Sequence, residues 1–141
     1  MSDALYSGWG VRTMAEGQGG YNPVEYHNGT VWPHDNSIIA AGLRRYGYHA
    51  EAARIADSLV RAAAFFGYRL PEVFAGCPAQ MTHVPVAYPT ASSPQAWAAG
   101  PLASPLVIIA QRVRHAGERA DLDTILAHCR QDLVVRPAPS G

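Results

Sequence analysis

The chain has 141 residues, with 11 basic and 11 acidic side chains, so its formal net charge is zero. That length suits one compact domain, and the charge balance argues against nucleic acid or an anionic membrane as a partner, since both demand a basic excess. Hydrophobic residues at 48% exclude wholesale disorder, and no apolar run approaches the roughly 18 residues of a membrane span.

Residues 1–35 show neither a helical nor a strand period. They are rich in Gly, Asn, Pro and aromatic residues, as in SGWG, EGQGGYNP and YHNGTVWPHD. Gly, Asn and Asp favour turns, while Tyr6, Trp9, Tyr21, Tyr26 and Trp32 are too many aromatics for a linker. The stretch reads as an ordered loop forming a binding surface. The start of the chain lacks a basic segment followed by an apolar one, so no signal peptide is visible.

A helix follows, with Asp35 or Asn36 as its cap and Ile38, Ile39, Gly42, Leu43 and Tyr46 on its buried face. Gly47 stops it. A second helix is predicted over residues 50–66. Ala52, Ile55, Ala56, Leu59, Val60, Ala63 and Phe66 face inward, and Glu51, Arg54, Asp57, Ser58 and Arg61 outward. The short connection predicts an antiparallel hairpin. Residues 67–93 return to loop, with one brief extended segment at VPVAY. Ser93 and Pro94 then open a third helix as cap and first residue. Pro101 and Pro105 interrupt it ahead of a segment at 106–114, and a last amphipathic piece covers 121–129. The expected class is all-α, with helix hairpins separated by long aromatic loops.

Cys77 and Cys129 form no CxxC pair and no zinc spacing, so they read as two small thiols in a reducing, cytoplasmic setting. There is no GxSxG, and Gly17, Gly19 and Gly20 follow no strand, so neither a serine nucleophile nor a phosphate loop is indicated. The densest chemistry lies at residues 21–36. Flat aromatic faces plus Asp, Asn and His suit recognition of a sugar, and Tyr26, His27, Trp32, His34 and Asp35 are of those types. The plain alternative is a helix cap and core aromatics. A metal site from Glu25, His27, His34 and Asp35 matches no recognised spacing. Glu72 stands between Pro71 and apolar Val73 and Phe74. A carboxylate in such surroundings favours proton transfer, although a solvated or Arg69-paired Glu reads the same way in sequence.

The segments LYSGWGVRTMA, YNPVEYHNGTVWPHDNSIIAAGLRRYG, RLPEVFAG and YPTASSPQAWAAG occur in that order. Together they resemble the amylo-α-1,6-glucosidase type of glycogen-debranching domain. Those enzymes are glycoside hydrolases built on an (α/α)6 barrel. The resemblance implies residues 1–115 as the C-terminal portion of such a barrel, a partial toroid, with 116–141 an unmatched tail of one short helix and a frayed end. It implies inverting hydrolysis of α-glucosidic bonds with no cofactor and no metal. Glu72 then takes the place of the general base, and Trp32, His34 and Asp35 line the sugar pocket. Trp97 stands at its mouth, and Tyr26 and His27 are on the same loop. No carboxylate here matches the general acid.

Twelve helices of about 12 residues, with twelve connections of about 5, need about 200 residues. The chain therefore reads as a fragment, inactive alone, whose partners are an α-glucan and the missing barrel portion, with no nucleic acid and no membrane. A fragment should leave Ile55, Leu59 and Phe66 short of neighbours and prone to association. Two other readings compete: a non-catalytic α-glucan-binding or vestigial scaffold domain, and a small metal-dependent hydrolase using His27, His34 and Asp35.

Overall fold

The computed structural model describes residues 2–98. The segments predicted at 106–114 and 121–129, and with them Cys129, lie outside the described residues. Among the described residues the regular elements are helices: α1 over Pro33–Arg45, α2 over His49–Phe65, and the single turn α3 over Ala79–Thr82. The expected all-α class and the α1–α2 hairpin are both present.

Pro33 starts α1, where its missing N–H costs nothing. Trp32 precedes it in extended conformation and offers no side-chain cap. The expected caps are thus already inside the helix. Asp35 sits exposed in the first turn, where a negative charge suits the positive end of the helix dipole. Asn36 is buried and turned inward. Its Oδ1 accepts from Val11 N at 2.7 Å, and its Nδ2 donates to Val11 O at 2.9 Å and Trp32 O at 3.0 Å. Arg44 and Arg45 end α1 with the favourable sign, and Gly47 turns the chain at φ 87°.

This inward Asn36 decides which face of α1 is covered. Pro33, Asn36 and Ala40 are buried and Leu43 half-buried, at steps of three and four. The apolar face expected from sequence is rotated away from the core: Ile38 is 58% exposed, and Ile39 and Tyr46 are exposed too. Ala40 packs against Ala53, Ile55 and Ala56 of α2, with Leu43 and Val11 beside them.

Helix α2 is enclosed on most of its circumference. Ala52, Ala53, Ile55, Ala56, Ser58, Leu59, Ala62 and Ala63 are all buried. One side faces α1. The other meets a second cluster of Trp9, Val31, Leu70, Phe74 and Ala98, with Phe66 packed against it. Burial of Leu59 alone stabilises by about 1.5–3 kcal/mol. Arg54, Asp57 and Arg61 form the exposed stripe, as expected, with Arg61 and Asp57 paired at 3.0 Å. Ser58 departs from expectation. It is buried, donates to Arg54 O at 2.9 Å and bonds the Tyr6 hydroxyl. Tyr6 and Trp9 of the N-terminal loop occupy the side of α2 that sequence assigns to solvent. Ile55 and Leu59 are fully buried rather than short of neighbours, and Phe66 is half-buried.

The loops are joined to one another by backbone bridges. Arg12 pairs with Val31, Val31 with Phe74 and Phe74 with Ala87, all antiparallel. Ala87 belongs to the expected extended segment. The buried Arg12 guanidinium donates to Gly76 O at 2.7 Å, Ala4 O at 3.0 Å and Asp3 O at 3.1 Å. The turn α3 was not foreseen in the proline-rich loop. Ala79 N donates to Ser7 O at 2.7 Å, which fastens α3 to the N-terminal loop. The helix expected from Ser93 starts later, since the first helical residue is Ala96. Gln95 N, just before it, donates to Leu70 O at 3.4 Å.

Candidate active site

The segment 70–76 is buried except for Glu72, which is half-buried. Leu70, Pro71, Val73, Phe74, Ala75 and Gly76 thus surround one carboxylate that emerges from an apolar run. Antiparallel pairing of Phe74 with Val31 brings Glu72 opposite the chain that enters α1. Its backbone N–H donates to Ser92 O at 2.9 Å, and Ser92 N donates back to Glu72 Oε2 at 3.5 Å. Among the described residues no ion pair joins Arg69 to Glu72.

Around it stands an aromatic wall. The Tyr26 ring lies 4.8 Å from Trp32, 4.7 Å from His27 and 5.4 Å from Tyr88. His27 stacks parallel to Trp32 at 5.8 Å. The Trp32 indole is fixed by two acceptors, Thr30 Oγ1 at 3.0 Å and Tyr26 O at 3.2 Å. Thr30 Oγ1 donates to the same Tyr26 carbonyl at 2.7 Å. A pinned indole offers a flat apolar face, and aromatic side chains lose little entropy when they bind. Desolvation, then the influence of the Glu72 carboxylate, push the Tyr26 phenol above its ordinary value.

His34 and Trp97 form a second contact, with ring centroids 5.6 Å apart. Trp97 is 60% exposed and presents most of its indole to solvent. Asp35 is exposed beside them on α1. The structure therefore gathers Tyr26, His27, Trp32 and Glu72 into one group and His34 with Trp97 into another. Tyr88 was missed from sequence, where it reads only as part of the extended segment. Its place before Pro89, at the start of the stretch that returns to Glu72, is the signal that was available. Among the described residues no three of His, Cys, Asp and Glu gather as a metal site, and His27 instead spends its ring face on Trp32. No helix among the described residues is long and apolar enough to cross a membrane.

Residues 1–68 match the family profile of the mannosylglycerate hydrolase MGH1-like glycoside hydrolase domain. A mannosylglycerate hydrolase from Rubrobacter radiotolerans is 43% identical over 42 residues, which is 30% of this chain and 10% of that protein. The chain thus aligns with about a tenth of that relative's length. Its similarity is to glycoside hydrolases. Tyr26, His27, Trp32, His34 and Asp35 lie inside the matched stretch, while Glu72, Tyr88 and Trp97 lie beyond it.

Proposed function

We propose that this chain supplies the sugar-binding wall and the general base of an enzyme that hydrolyses glycosidic bonds with inversion. The observation that carries the reading is the half-buried Glu72 carboxylate, which emerges from an apolar run opposite the chain that bears the Tyr26–Trp32–His27 wall. A glycosidic bond needs one carboxyl to protonate the leaving oxygen and one carboxylate to activate water on the opposite face. For inversion the two stand roughly 6.5–9.5 Å apart, leaving room for that water. Glu72 is the base. The acid comes from another part of the polypeptide or from a partner chain, and residues 1–115 form one sector of an (α/α)6-barrel domain. Trp32 and Trp97 stack on the sugar, and His34 and Asp35 bond its hydroxyls.

Two substrates are in view. The ordered motifs favour α-1,6-linked glucan, as in glycogen debranching. The name of the Rubrobacter relative favours mannosylglycerate. The test is co-expression of this chain with the remaining catalytic-domain helices of that relative, followed by assays for glucose from branched α-glucan and mannose from mannosylglycerate. One sugar is expected to be released, and Glu72→Gln is expected to cut the rate roughly 100- to 10,000-fold. Unchanged activity in Glu72→Gln removes the base role. The competing reading, a non-catalytic α-glucan-binding domain, rests on the presence of one suited carboxylate only. It is favoured if the isolated chain binds malto-oligosaccharide by tryptophan fluorescence and no assembled form releases sugar.

A further inference from the structure

We propose that Thr30 is a positioning residue for Trp32, setting the angle at which the indole meets the sugar. The inference rests on the reading of Trp32 as a sugar-stacking residue. Thr30 is fully buried and Trp32 half-buried. Three hydrogen bonds close a ring between these two residues and Tyr26. The Trp32 Nε1–H donates to Thr30 Oγ1 at 3.0 Å and to Tyr26 O at 3.2 Å, and Thr30 Oγ1 donates to Tyr26 O at 2.7 Å. A hydroxyl has one hydrogen, and here it goes to the carbonyl. Its lone pairs are left for the indole, so the direction of the Trp32 N–H is set by where Thr30 stands.

Thr30 has little room to move. Its carbonyl accepts from Thr13 N at 2.9 Å, and Gly29 N just before it donates to Thr13 Oγ1 at 2.9 Å. Val31 just after it exchanges two backbone hydrogen bonds with Phe74, at 2.9 and 3.0 Å. The branched Cβ of Thr30 restricts its χ1 as well. The hydroxyl is therefore a peg on the same row of backbone bridges that holds Phe74, two residues from Glu72. It passes that frame on to the indole. Without the hydroxyl the Trp32 N–H keeps one acceptor, Tyr26 O, and the ring can pivot about that bond. Small displacements of a substrate-positioning group are expensive in rate. Thr30 does not touch the sugar itself; it aims the residue that does.

The first test needs no activity. In NMR spectra of the 141-residue chain the Trp32 indole N–H is identified by its loss in Trp32→Phe. Its exchange with deuterium is then followed in the natural sequence, Thr30→Val and Thr30→Ser. Thr30→Val keeps the shape and leaves Trp32 Nε1 and Tyr26 O bonded to each other, so no buried polar group is stranded. Two hydrogen bonds are lost, and exchange at Trp32 is expected to be about 5- to 30-fold faster. The Trp9 indole, which donates to Thr82 Oγ1 at 3.4 Å, is expected to keep its rate. Thr30→Ser retains the hydroxyl and is expected to restore slow exchange at Trp32. Natural exchange in Thr30→Val overturns the proposal. Equal acceleration at Trp32 and Trp9 also overturns it, because that is a general loosening. The second test uses the assembled enzyme with whichever of branched α-glucan and mannosylglycerate it hydrolyses. Stacking holds ground state and transition state alike, so Thr30→Val is expected to raise KM about 10-fold with kcat within about twofold, and Thr30→Ser to bring KM back. A raised KM in Trp32→Ala with natural KM in Thr30→Val refutes the positioning role and leaves the stacking role standing. Natural KM in Trp32→Ala refutes the stacking role, and the proposal falls with it.

Discussion

Replacing Asn36 tests the packing that places the wall. Its side chain makes three hydrogen bonds, accepting from Val11 N at 2.7 Å and donating to Val11 O at 2.9 Å and Trp32 O at 3.0 Å. At about 1 kcal/mol net for each, Asn36→Ala is expected to cost about 3 kcal/mol. That is a large part of the 5–15 kcal/mol that holds a typical domain together. Asn36→Asp separates hydrogen bonding from volume. The carboxylate keeps the bond from Val11 N but turns a charge towards two carbonyl oxygens in a buried site. At neutral pH it is expected to be at least as unstable as Asn36→Ala. In acid the protonated carboxyl can donate to one carbonyl, and part of the loss should return. Urea unfolding followed by tryptophan fluorescence measures both, read as a lower midpoint at unchanged slope. A loss below about 0.5 kcal/mol for Asn36→Ala would place it among ordinary surface changes and refute the reasoning. So would an Asn36→Asp chain as stable as the natural one at neutral pH.

Gly76→Ala should be severe, because a Cβ there would overlap the Gly29 carbonyl oxygen and press on Arg12; a cost of about 1–3 kcal/mol or more is expected in the same unfolding assay. Leu59→Ala removes a fully buried side chain and is expected to cost about 2–5 kcal/mol; a cost near zero would mean that α2 is not enclosed as described. Alkali should destabilise the fold. Desolvation leads the causes that raise both Tyr21 and Tyr26 above 10.0, so their protonated forms are favoured in the folded state. That contribution is complete below the ordinary tyrosine value and disappears as pH rises through the raised values, so the urea midpoint should fall there. A midpoint that rises instead would reverse the sign of the argument.

Much of this arrangement is legible in the sequence, and the exceptions share a cause. The hairpin could be read from the periodicity of α2 and from Gly47, because both signals are local. The aromatic loop could be read as ordered, because Trp9 and Tyr26 are too costly to leave in water. The burial of α1 could not be read. Ile38 and Ile39 outrank Ala40 and Asn36 on any hydropathy scale, yet the latter two are buried. What decides the face is a polar tie from Asn36 to Val11, 25 residues away. Ser58 went the same way, because its partner Tyr6 is 52 residues distant. Glu72 could be picked out from its apolar neighbours. Its place opposite the chain that enters α1 could not, because it depends on the pairing of Val31 with Phe74.

That pairing explains how the described residues, with α1 and α2 as their long helices, can hold a candidate site in their loops. Loops move unless their backbone groups are paired. Here the bridges run laterally from Arg12 through Val31 and Phe74 to Ala87, so four separate segments share one file. Glu72 stands two residues before Phe74 in that file, and Trp32 one residue after Val31. The separation of Glu72 from the aromatic wall is therefore set by backbone hydrogen bonds, Val31 N to Phe74 O at 2.9 Å and Phe74 N to Val31 O at 3.0 Å. It does not depend on the flexible ends of side chains. Arg12 clamps the same file from the side through Gly76 O. Arg12→Lys keeps the charge but replaces a five-donor fork by a single ammonium. It should therefore loosen the loops while sparing the α1–α2 hairpin. Hydrogen exchange is expected to speed up at Val31 and Phe74 and to stay slow at Ile55 and Leu59. Equal acceleration everywhere would show that the file and the hairpin unfold as one unit.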